Sequence, residues 1–201
     1  MTPAETRILD ATKICCERHG IAKVSVDDIA AEAGVSRATL YRMYPGGKDV
    51  VFDALRVREL EEFFAHLKVA IIGSTSLEDL LVGTVVAATN EMRNDQHLAI
   101  MLMSEPGETL AQLTVGGVPR IIRMATLFLS PMVDQYLDRP KALRVVDVLA
   151  RLVISYFLAP SNDIDLGDED SARFFIRTHV LPTFQPVSTP VSSTTTTGVN
   201  S

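Results

Sequence analysis

The sequence predicts an all-α protein, and three observations carry that prediction. Apolar side chains recur at helical spacing along most of the chain. Period-2 alternation and Asn-Gly hairpin signals are absent. Capping residues and breakers punctuate the chain where helices would begin and end. These breakers divide it into short helices in residues 1–47, longer helices in 48–184 and a tail over 185–201.

The first helix carries its own start signal. Thr2 can cap, Pro3 suits the first helical position, and Glu5 stands three residues after Thr2 to complete a capping box. Ile8, Ala11, Thr12, Cys15 and Cys16 then form an apolar or small stripe, and Gly20 ends the helix. Ser25 followed by Asp28 repeats the box and opens a short helix over 26–33, which Gly34 terminates. Ser36 caps a third helix that Pro45-Gly46-Gly47 stops. Lys48 opens a long fourth helix ending near Ile72.

The second half predicts helices over 76–92, 95–104, 107–115, 118–137, 141–159 and 169–181. Gly73-Ser74, Asn94-Asp95, Pro106-Gly107, Gly116-Gly117 with Pro119, Arg139-Pro140 and the stretch 160–167 separate them. In 141–159 the charges Arg144, Asp147 and Arg151 share one stripe, and the apolar arc opposite is wider than a single core contact requires. Phe174, Phe175, Thr178 and Leu181 form a second apolar strip. Residues 185–201 are Ser/Thr/Pro-rich without a charged side chain, the composition of a disordered tail.

The net charge of -6 is unevenly spread. Residues 1–58 hold nine Lys/Arg against eight Asp/Glu, and the remainder holds ten against seventeen. The acidity therefore belongs to the second half, and the first can still meet phosphate if its cations share a face. Cys15 and Cys16 are the only cysteines, adjacent and in an apolar pattern, so they read as buried thiols in a reducing compartment. The N-terminus does not read as a signal peptide. The longest uncharged stretches within the predicted helical region, such as 80–90 and 152–162, fall short of the roughly 18 residues of a membrane span. A cytoplasmic protein with no membrane partner is expected.

The chemistry concentrates in Ser25 to Lys48, a short helix, a turn at Gly34 and a second short helix. On a helical wheel Leu40 and Tyr44 point inward, with Val35 entering on that side. Ala38, Thr39 and Arg42 point outward, and Tyr41 lies at the boundary. A small residue, a hydroxyl and a guanidinium on one face suit the major groove. Ala38 allows close approach and can meet a thymine methyl, Thr39 can donate or accept, and Arg42 can fork onto guanine or a phosphate. The helix start near Ser36 offers free N–H groups to a phosphate, and Arg37 lies in that first turn. Tyr41 can offer its hydroxyl to a phosphate. A cation such as Lys48 at a helix start opposes the macrodipole, and a phosphate partner would explain it.

This stretch resembles the DNA-binding domain of the TetR family of bacterial repressors. The matching residues are Arg7-Ile8-Leu9-Asp10-Ala11 in the first helix and the run from Val26 to Ser36 through the turn. Thr39-Leu40-Tyr41, Tyr44 and Lys48 continue it. Two positions depart from the family pattern: Cys16 stands in place of an aromatic residue, and Gly46-Gly47 is one residue longer than the usual link. The resemblance implies an N-terminal three-helix helix-turn-helix domain and a C-terminal helical domain for ligand binding and dimerisation. It implies DNA contacts at Thr39, Tyr41 and their neighbours, phosphate held by Lys48, a homodimer through 141–159 and 169–181, and a cavity whose occupant controls DNA affinity. The expected function is a repressor released from operator DNA by a small, largely apolar effector. An activator of the same fold is the alternative, and a helical-bundle carrier or enzyme a more distant one.

The remaining candidates are weaker. Met101-Leu102-Met103 with Met92, Met124, Phe128, Met132 and Tyr156 reads either as core or as an adaptable apolar pocket. Asn90, Arg123 and Tyr156 are its candidate polar groups, beside Met101, Phe128 and Met132 as candidate apolar contacts. The four histidines are dispersed, and neither a GxSxG elbow, a GxGxxG loop nor a Walker phosphate loop occurs. No cofactor, metal or catalytic residue is expected.

Overall fold

A computed structural model describes residues 1–184; the tail read as disordered lies outside the described residues. Among these the fold is all-α. Both capping boxes form. Thr2 accepts the Glu5 N–H while the Glu5 carboxylate accepts that of Thr2, at the head of α1 (Pro3–His19). Ser25 and Asp28 do the same for α2 (Val26–Glu32). The stripe of Ile8, Ala11, Thr12, Cys15 and Cys16 is buried as its spacing requires. α3 (Arg37–Met43) follows the turn, and α4 (Lys48–Ile71) follows Gly46-Gly47.

The later helices are α5 (Leu77–Asn94), α6 (Gln96–Ser104), α7 (Pro106–Leu113), α8 (Val118–Val133), α9 (Arg139–Leu158), α10 (Glu169–Phe175) and α11 (Leu181–Phe184). Two prolines that read as breakers lie inside first turns instead. Pro106 opens α7, and Pro140 sits in the first turn of α9 behind the cap Asp138, where a missing N–H costs nothing. α8 stops at Val133, short of the predicted 137, two residues after its internal Pro131. The predicted helix over 169–181 is interrupted by a π-helical turn, Ile176–Val180, for which the sequence offers no signal.

Two apolar cores result. One gathers α1, α2, α3 and the start of α4 around Ile8, Ile29, Leu40 and Val51, all 0% exposed. The other gathers α4, α5, α8, α9 and α10 around Leu81, Val85, Val145 and Ala172. α4 contributes to both, with Phe52 and Leu55 in the first and Phe64 and Leu67 in the second. Met101 of α6 packs into the first core, so the second domain reaches directly into the first.

Candidate nucleic-acid interface and internal cavity

α3 owes its posture to its anchors. Gly34, at φ 64°, takes the left-handed turn between α2 and α3 that a side chain would resist. The Val35 N–H then donates to the Ala30 carbonyl at 3.0 Å, closing the turn. Ser36 caps α3, its Oγ accepting the Thr39 N–H at 3.1 Å and lying 2.9 Å from the Thr39 hydroxyl. Leu40 is fully buried and Tyr44 nearly so, which turns the opposite face outward. Ala38, Tyr41 and Arg42 are exposed on that face and Thr39 is half-buried beside them. The Arg37 guanidinium pairs with Asp27 at 2.8 Å and lies 5.5 Å from the Tyr41 ring centroid. Arg42 has no ion pair among the described residues, which leaves its whole fork free.

Lys48 is tied to the loop after α1. Its ammonium donates to the carbonyls of Ile21 at 2.7 Å and Ala22 at 3.3 Å, and it lies 5.2 Å from the Phe52 ring. These carbonyls explain a cation at a helix start without any phosphate. The same loop is held from its other side, where Glu105 accepts the Ala22 N–H at 3.0 Å. Glu105 stands between α6 and α7, and its partnership spans too much sequence to be read in advance.

A cavity of about 220 Å³ lies in the second domain. Its walls are apolar, from Phe63 and Phe64 of α4, Met92 of α5, Ala125 of α8 and Leu149 and Val153 of α9. Its polar lining comes from Arg56, Glu59, Asp95, Gln112, Arg120 and the self-satisfied Thr84 hydroxyl. None of the six predicted pocket residues lines it. Asn90 donates to the Gly167 carbonyl at 3.0 Å and holds the loop after α9. Met101 is buried in the first core and Arg123 is exposed. Phe128 stacks on Phe64 at 5.7 Å, Met132 packs at the edge of the second core, and Tyr156 meets Phe175 edge-on at 5.6 Å. Of the methionine-rich set only Met92 lines the cavity, because helix phase, which the tertiary packing sets, decides which apolar residues face a void.

Among the described residues no group of three His, Cys, Asp or Glu is arranged to hold a metal ion. No single helix is long and apolar enough to cross a membrane; one bent pair, Pro106–Leu113 with Val118–Val133, passes by length and composition alone.

Residues 8–55 match the model of the bacterial regulatory proteins, tetR family. The match covers most of α1, all of α2 and α3, and the start of α4. Within it, α2, the Gly34 turn and α3 are the helix-turn-helix. The chain is 29% identical over 103 residues to an uncharacterized HTH-type transcriptional regulator of Mycobacterium bovis, Mb2274c, covering 49% of this chain and 50% of that one. The chain thus spans about half the length of the curated relatives it matches first. Its fold is similar to that of the TetR family repressor AlkX from Dietzia sp. strain DQ12-45-1b, which is implicated in n-alkane biodegradation. That likeness has TM-score 0.64 at 22% identity and covers 87% of this chain and 93% of AlkX. It is similar also to the multidrug binding protein EbrR complexed with imidazole, with TM-score 0.62 at 20% identity over 94% and 96% of the two chains. These structures extend the TetR likeness of fold through the second domain.

Proposed function

We propose that the chain is a DNA-binding transcriptional repressor of the TetR type, released from its operator by a small, largely apolar effector. The observation that carries this reading is the outer face of α3, where Ala38, Tyr41 and an unpaired Arg42 stand exposed on a helix anchored by Leu40 and Tyr44. Arg42 reads a base edge or holds a phosphate, Tyr41 and the capped helix start at Ser36 hold phosphate, and Thr39 and Arg37 complete the contact. Lys48 supports α3 indirectly, by tying the start of α4 to the loop after α1.

Two copies associate through 141–159 and 169–181, so that their α3 helices meet successive major-groove faces of a pseudo-palindrome. Exposed apolar side chains on these segments, Leu143 and Phe174, support this face. The effector occupies the cavity and favours a conformer whose α3 helices are wrongly spaced. The shared helix α4 supports that coupling, because it lines the cavity and begins where α3 ends.

The test is a mobility shift with DNA from upstream of the gene. Arg42→Ala and Tyr41→Ala each weaken binding while the dimer survives; unchanged affinity in both removes the contact assignment. A footprint between core promoter elements identifies repression, and one upstream of them an activator of the same fold.

A further inference from the structure

The cavity's polar end has a particular chemistry. Arg56 of α4 and Arg120 of α8 both line it. Arg56 reaches Asp53 and Glu108 at 3.2 Å each, and Arg120 reaches the same Asp53 oxygen at 3.3 Å. These pairs are long beside Arg58–Asp10 and Arg139–Asp134, both at 2.7 Å. One carboxylate oxygen therefore serves two guanidiniums, and Arg120 uses only one of its nitrogens. The lining carboxylates have partners of their own, although the buried Glu59 Oε1 accepts no hydrogen bond. Asp95 accepts the Leu98 N–H as the cap of α6, and Glu59 faces the Lys13 ammonium at 3.3 Å and His97 at 3.7 Å. Arg120 thus keeps guanidinium donors to spare at this end, and the walls beyond it are apolar apart from the self-satisfied Thr84 hydroxyl.

We propose that the cavity takes a small amphiphile with an anionic head, the head on Arg56 and Arg120 and the apolar body between α4, α8 and α9. This rests on the cavity being the effector site. A planar carboxylate matches the guanidinium fork and competes with Asp53 and Glu108 for it. Binding is then an exchange of partners. The ties from α4 to α7 and α8 give way as the head arrives, and α4 starts one residue after Gly47, beside α3. Ligand recognition and the loosening of α4 are one event.

The experiment is calorimetric titration of the full chain with three probes of one chain length: octanoate, octan-1-ol and octyltrimethylammonium. Octanoate binds, and the alcohol and the ammonium bind at least about tenfold more weakly. Arg120→Gln weakens octanoate by about tenfold and leaves octanol unchanged, the loss of a charge-assisted pair. Asp53→Asn moves octanoate the other way, tightening it by about fivefold because the competing anion is gone. A merely structural role for this cluster would weaken binding in both variants. Equal or tighter binding of octanol or the ammonium, or no binding of octanoate, overturns the proposal. Ala125→Phe, which fills the cavity, separates the two readings. Octanoate that binds this variant as it does the native chain defeats the cavity itself. Lost binding there, with the alcohol preferred by the native chain, defeats only the anionic head.

Discussion

Arg42 is the exposed cation on α3 that no acid claims, whereas Arg37 beside it is paired with Asp27. Its removal should leave thermal stability unchanged and lower operator affinity by about 1–3 kcal/mol, read by mobility shift beside a melting curve. A fall in Tm would mean that Arg42 supports the fold instead. Cys16 makes a prediction of the opposite kind. Burial, and then the neighbouring Cys15, push its thiol up to about 12. Folding favours the neutral form, so its contribution to stability is complete below pH about 9 and is lost as pH rises toward 12. Denaturant titrations between pH 8 and 11 should show a shallower alkaline decline in Cys16→Ala than in the native chain.

At the scale of elements, α3 is short and depends on what it buries. Leu40→Ala should cost about 2–5 kcal/mol of stability and reduce DNA binding through loss of the helix, visible as a lowered midpoint in denaturant. The joint between α3 and α4 is equally specific. Gly47 has φ 72°, and a Cβ there would lie 3.1 Å from the Tyr41 ring. Gly47→Ala should therefore cost about 1–3 kcal/mol for a left-handed side chain and displace Tyr41, weakening DNA binding as well. An unchanged affinity would show that Tyr41 tolerates movement.

At the scale of the molecule, the two domains are joined by polar cross-links as well as by α4. Arg58 of α4 pairs with Asp10 of α1 at 2.7 Å, and His97 of α6 meets Glu17 of α1 at 3.0 Å. With Met101 in the first core and Glu105 on the loop after α1, these links bind the position of α1 to α6. The proposed dimer adds the last level. Phe174 is 61% exposed on α10, one of the segments proposed to pair. Phe174→Asp should give a monomeric mass by light scattering, retained helix content and lost operator affinity. A retained dimer would move the interface elsewhere.

The sequence by itself determined the elements with local causes. The capping boxes at Thr2 and Ser25, the turn at Gly34, the buried stripe of α1 and the inward Leu40 and Tyr44 follow from spacing within a few residues. Local spacing also turned Ala38, Thr39 and Arg42 outward with Tyr41 at the boundary; in the structure Ala38, Tyr41 and Arg42 are exposed and Thr39 is half-buried. Tertiary structure alone decided which groups meet across distance. It gave Lys48 two carbonyl partners, packed Met101 of α6 into the first core, and lined the cavity with Arg56 and Arg120. Spacing along a helix tells which residues share a face. What that face meets depends on the packing of helices distant in sequence, which no local pattern encodes.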